Sequence, residues 1–86
     1  MNPQSIRLTI LRLLAAAKPY SLPQETLLAE VNRLVRPAIS LPELVKHLSW
    51  LKAQEMAGFT ADPMDPTNAD ARKWHIREAG QNALNP

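Results

Sequence analysis

Three stretches of the chain repeat apolar residues at helical spacing, and a fourth alternates them. In the first, Ile6, Ile10, Leu13, Leu14 and Ala17 lie at i, i+4, i+7, i+8 and i+11, and Leu8 and Leu11 widen the stripe. That spacing predicts an amphipathic helix over residues 3–17. Asn2 suits the N-cap and Pro3 the first helical position, where a missing N–H loses nothing. Lys18 precedes Pro19, and a residue before proline is pushed out of the helical region, so the helix ends there. Leu27, Leu28, Val31, Leu34 and Val35 form a second stripe, stopped by Pro37, and predict a helix over 22–35. Leu41, Leu44, Val45, Leu48 and Leu51 form a third and predict a helix over 41–55, with Gly58 just past its end.

The second and third stripes are preceded by nearly the same four letters, SLPQ at 21–24 and SLPE at 40–43. Serine followed three places later by Gln or Glu is a capping box: the hydroxyl takes the N–H of the third residue, whose side chain returns to the N–H of the serine. Pro23 and Pro42 then sit in first turns, where their missing N–H has no intrahelical partner in any case. Ile39 before the cap and Leu44 after it can form a hydrophobic staple. The residues after the two tetrapeptides do not match, so they read as two helix starts and not as a tandem repeat.

Beyond Gly58 the period changes. Phe59-Thr60-Ala61 is a short strand candidate, residues 62–71 (DPMDPTNADA) are loop chemistry, and residues 72–77 (RKWHIR) alternate. Trp74 and Ile76 face one way, and Lys73, His75 and Arg77 the other. The end of the chain can form one more helical turn carrying Ala83 and Leu84. The expected fold is mainly α with a small β-hairpin, in the order α-α-α-β-β: a helix-turn-helix with a wing at about 59–77. A hairpin alone is unstable, but its apolar face can close over the helices.

With 86 residues the chain is expected to be a single domain, 1–86, and one of marginal stability. Apolar residues make up 45%, which suits a globular chain and not a disordered one. With no cysteine there is no disulfide or thiolate metal site. The apolar run Leu13 to Ala17 is too short to span a bilayer and does not look like a signal peptide, so a cytoplasmic protein with no membrane partner is expected. The formal net charge of +2 points only weakly to a polyanionic partner.

The segment LSWLKAQEMAGF, together with RKWHIREAGQNAL, resembles the second half of small bacterial winged-helix transcription regulators. The shared features are a leucine pair on the third helix, a glycine-hydrophobic entry into the wing, a basic return strand, and the closing pattern of Ile76, Gly80 and Leu84. Arg77 stands where that family usually has threonine, so the usual cap of the last helix is missing. The resemblance implies binding of double-stranded DNA, with the third helix in the major groove and the wing on the backbone. It also implies a homodimer, because the length leaves no separate effector domain.

The face of the third helix opposite its leucines carries Glu43, Lys46, His47, Trp50 and Gln54. With Ser40 at the cap and Arg72, Lys73 and Arg77 in the wing, these are the candidate DNA contacts. Lys46 could meet phosphate or guanine, Gln54 could read adenine, and His47 could donate to phosphate. Trp50 is expected almost opposite the core, where it could pack against a neighbouring element, anchor a protein interface or touch a sugar. The acidic wing tip (Asp62, Asp65, Asp70) and Glu43 at the leading end of the helix oppose phosphate. The alternative is therefore a protein-interaction module using the Trp50 face. His47 and His75 are the only acid–base candidates near neutral pH, and neither has a nucleophile at a diagnostic spacing, so no enzymatic activity is expected. No cofactor is implied. The three wing aspartates only loosely suggest a calcium loop, which two prolines and the lack of a glycine at the turn argue against.

Overall fold

The structure is a computed structural model and describes residues 2–85. It is mostly helical with one small antiparallel sheet. The elements run α1 (Pro3–Ala17), β1 (Leu22–Pro23), α2 (Gln24–Leu34), α3 (Leu41–Ala53), β2 (Ala57–Thr60), a 3-10 turn (Ala69–Ala71), β3 (Lys73–Ile76) and α4 (Glu78–Leu84). The first helix has the predicted ends. Asn2 caps it by accepting the N–H of Ser5 at 2.8 Å, and Ile6, Ile10, Leu11 and Leu14 are buried. α1 is the spine of the molecule and packs against α2, α3, β3 and α4.

The two serine tetrapeptides part company. At the second, Ser40 accepts the N–H of Glu43 at 3.3 Å and α3 starts at the predicted residue, but among the described residues the Glu43 carboxylate does not return to the Ser40 N–H, so half of the box forms. Ile39 and Leu44 on either side are both in the core. At the first, the predicted box does not form. Leu22 and Pro23 stay extended and pair with Trp74 and Lys73. The N–H of Gln24 then donates to the carbonyl of Arg72 at 3.2 Å, and α2 begins with no side-chain cap. The side chain of Gln24 does not turn back to Ser21. It lies in the core and accepts the indole N–H of Trp74 at 3.2 Å. The physical reason is burial. Trp74 is 1% exposed and its N–H needs an acceptor, while an N-cap at the surface can be satisfied by water.

The sheet order is β1-β3-β2, all antiparallel, so the expected two-strand hairpin gains a third strand that lies between α1 and α2 in the sequence. In β3, Trp74 and Ile76 are buried while Lys73 is exposed and His75 half-buried, as the alternation predicts. The α2–α3 turn is held by Asn32, which donates to the carbonyl of Ile39 at 3.0 Å and accepts its N–H at 2.8 Å.

α3 ends two residues short of the prediction, and the glycine expected to end it does not. Glu55 takes the left-handed conformation (φ 60°), and Gly58 lies within β2 opposite His75. α4 forms a full short helix and begins at Arg77 with no side-chain cap, the gap that the missing threonine implies. Among the described residues, no helix is long and apolar enough to cross a membrane.

Candidate functional site

The solvent face of α3 is not the one its leucines predict. Leu44, His47, Leu48 and Leu51 are buried. At 100° per residue this stripe is turned by about 45° from the one centred on the five apolar residues. The turn has two effects. It carries His47 into the interior, 5% exposed, which corrects the expectation that it lies on the outer face and could donate to phosphate. It also brings Lys52 out of the predicted stripe to the edge beside the hairpin. The cause is α1, which packs on that side of α3 and stacks Arg7 over the Trp50 ring, guanidinium carbon to ring centre 4.0 Å. Trp50 is therefore neither bare nor fully covered: one face carries Arg7, and the residue is 39% exposed.

His47 has no hydrogen-bond partner for its buried Nδ1. Burial holds its pKa below the ordinary 6.5, with the positive charges of Arg7 and Lys46 acting in the same direction and the Glu43 carboxylate against them.

The exposed residues of α3 are Pro42, Glu43, Lys46, Ser49, Trp50 and Lys52 to Gln54. Ser40 and Glu43 stand at its N-terminus, exposed, with Lys46 one turn further on. Gln54 is exposed but has moved to the C-cap position.

At the hairpin side of α3 two cations share one aromatic ring. The Arg72 guanidinium lies 4.1 Å and the Lys52 ammonium 5.6 Å from the centre of Phe59. Phe59 in turn tilts against Trp74, with ring centres 5.1 Å apart. A cation over an aromatic face is held by the ring quadrupole, about 0.5–1 kcal/mol at an exposed site. Arg72 and Lys52 are thus positioned through Phe59 and Trp74, down to Gln24 in the core. Lys73, on β3, and Arg77, just past its end at the cap of α4, are exposed.

The sequence named Arg72, Lys73 and Arg77 but missed Lys52, because its wheel position lies inside the predicted apolar stripe. It missed Arg7 as a partner of Trp50 because a stack between two helices leaves no signal in the spacing of either.

Other charges are tied up locally. Arg33 pairs with Glu30 at 2.6 Å, and Arg36 donates to the carbonyl of Asn32 at 2.6 Å. In the loop between β2 and β3, Asp62 accepts the N–H of Met64 within its own turn at 2.9 Å. That is turn chemistry, which accounts for the aspartate without a ligand. Among the described residues no three His, Asp or Glu side chains converge so that they could hold a metal ion. Comparison of the chain with protein-family models, with curated proteins and with solved structures returned no match.

Proposed function

We propose that the chain is a winged-helix module that binds double-stranded DNA, as transcription regulators of that kind do, with α3 in the major groove and the β2–β3 hairpin on the backbone. The observation that carries this reading is the pair of cations, Lys52 and Arg72, held over Phe59 where α3 meets the hairpin. Charges fixed beside an exposed helix face lose little side-chain freedom on meeting phosphate. The element order and the short β1 strand that joins the hairpin sheet also support it. Phosphate contacts fall to Lys46, Lys52, Arg72, Lys73 and Arg77, and base contacts to Lys46, Ser49 and Trp50. His47 is left out of the contact set because it is buried. So few cations give weak binding for one copy, and a homodimer doubling the phosphate contacts is part of the proposal.

Fluorescence anisotropy with a mixed-sequence duplex at low salt tests it. Five phosphate contacts per copy, doubled in the homodimer, give a slope of log affinity against log salt of about −9, against about −4 to −5 for one copy alone. The Lys52→Gln, Arg72→Gln double variant should flatten that slope by about 2 per copy. Glu43→Gln should tighten non-specific binding by removing a carboxylate from the leading end of α3. Absence of binding at tens of micromolar protein ends this reading. The alternative, a protein-interaction module, is favoured by the exposed part of Trp50. Loss of partner capture in a folded Trp50→Ala variant would support it.

A further inference from the structure

A groove runs between α1, α3 and α4. It is open to solvent along one side and holds about 370 Å3, and Leu8, Leu11, Trp50, Met56 and Ala83 line it together with Arg7 and Gln4. That size and makeup, apolar walls with very few polar groups, are those of a small-molecule site. Arg7 is the one ionised side chain in the lining. Its guanidinium is fixed over Trp50, yet its Nε is buried with no hydrogen-bond partner. Among the described residues it also forms no ion pair. In the same corner of α1 and α3 the buried Nδ1 of His47 is unpartnered, and the Arg7 charge disfavours protonation there. The Arg7 guanidinium thus brings to the groove wall a positive charge that, among the described residues, no carboxylate neutralises.

We infer that the groove is a binding site for a small hydrophobic monocarboxylate, an aryl or arylalkyl acid. Its ring lies on Leu8, Leu11 and Met56, and its carboxylate accepts hydrogen bonds from the Arg7 guanidinium. A neutral hydrocarbon would fill the groove but leave Arg7 without its counter-charge. A phosphate would bring more charge than one guanidinium can neutralise between apolar walls. The inference does not rest on DNA binding: the groove lies on the α1 side of α3, away from the Lys52–Arg72 pair, and shares only Trp50 with the proposed DNA face.

The test is a titration of the 15N-labelled chain with 2-naphthoate and, separately, with its neutral amide, followed by amide and indole chemical shifts. Saturable shifts are expected at Arg7, Leu8, Ala83 and the Trp50 indole, with a dissociation constant of about 1 mM or below for the acid. The amide should bind about tenfold more weakly, because it loses the charge-assisted hydrogen bonds. Arg7→Gln should erase the difference between the two probes. If that variant does not fold, the acid-to-amide ratio on the unaltered chain decides alone. Equal affinity for acid and amide, shifts confined to the Lys52–Arg72 side, or no saturation with the acid would each overturn the inference.

Discussion

Acidification should destabilise this protein through His47. The imidazole is buried between α1 and α3, and its pKa lies below the ordinary 6.5 through burial and the charges of Arg7 and Lys46, which outweigh Glu43. The unfolded chain therefore binds a proton as the pH falls past 6.5, while the folded chain does not until its lower pKa is reached. Stability that is fully present above 6.5 is lost through that window. With the folded imidazole still neutral, the loss between about pH 7.5 and about pH 5.5 is at most about 1.4 kcal/mol. A domain of this size has a total stability of about 4–13 kcal/mol. Since 1 kcal/mol moves the melting temperature of a small domain by about 4–8 °C, the melting point should fall by up to about 6–11 °C from this group alone. Carboxylates elsewhere also respond to acid, so the assay compares thermal melts of the unaltered chain and His47→Gln across that range. Between about pH 7.5 and about pH 5.5 the parent should lose more melting temperature than His47→Gln does. Parallel curves would refute the argument, and so would a His47→Gln variant more acid-sensitive than the parent.

Three further outcomes concern the packing. Gly80→Ala should lower stability by about 1–2 kcal/mol in urea unfolding: the added methyl would fall inside contact distance of the Met56 carbonyl, a backbone atom that already accepts the Arg77 N–H, and this outweighs the roughly 1 kcal/mol that alanine gains in a helix. Gln24→Leu should cost about 1–3 kcal/mol by leaving the Trp74 indole N–H buried without an acceptor, and adding Trp74→Phe should recover less than half of that if cavity formation matters more than the hydrogen bond. Glu55→Gly should raise the urea midpoint by about 0.5–1 kcal/mol of stability, because relief of the left-handed strain exceeds the added freedom of glycine in the unfolded chain.

Features set by local chemistry were legible in the sequence. The ends of α1, the Ser40 cap and the alternation of Trp74 and Ile76 each depend on residues a few positions apart. What was not legible depends on partners far along the chain. Leu22 and Pro23 read as the start of a helix, and they do precede one, but Trp74 some fifty residues later draws them into a strand and takes Gln24 as its acceptor. The outer face of α3 was misjudged for the same reason. A wheel centred on leucines treats His47 as polar and therefore outside, whereas the packing of α1 decides the rotation. Glu55 could not be foreseen in the left-handed position, because glutamate has no preference for it and Gly58 nearby offered a more natural candidate.

The order of strands in the sheet has a consequence for synthesis. The central strand, β3, is the last of the three to leave the ribosome, and both neighbours wait for it. Until Lys73–Ile76 emerge, Leu22 and Ala57 have no strand to pair with, and Gln24 lies next to a core lacking its tryptophan. The helices and the β2–β3 hairpin can form from contacts close in sequence, but β1 joins β3 only across some fifty residues, the slow kind of step in a small domain. A nascent chain halted in the loop after Thr60 therefore leaves uncovered the side of α1 that packs against β3 and α4. Closure of the sheet therefore waits on Lys73–Ile76, and a chain translated short of them carries two edge strands with no centre.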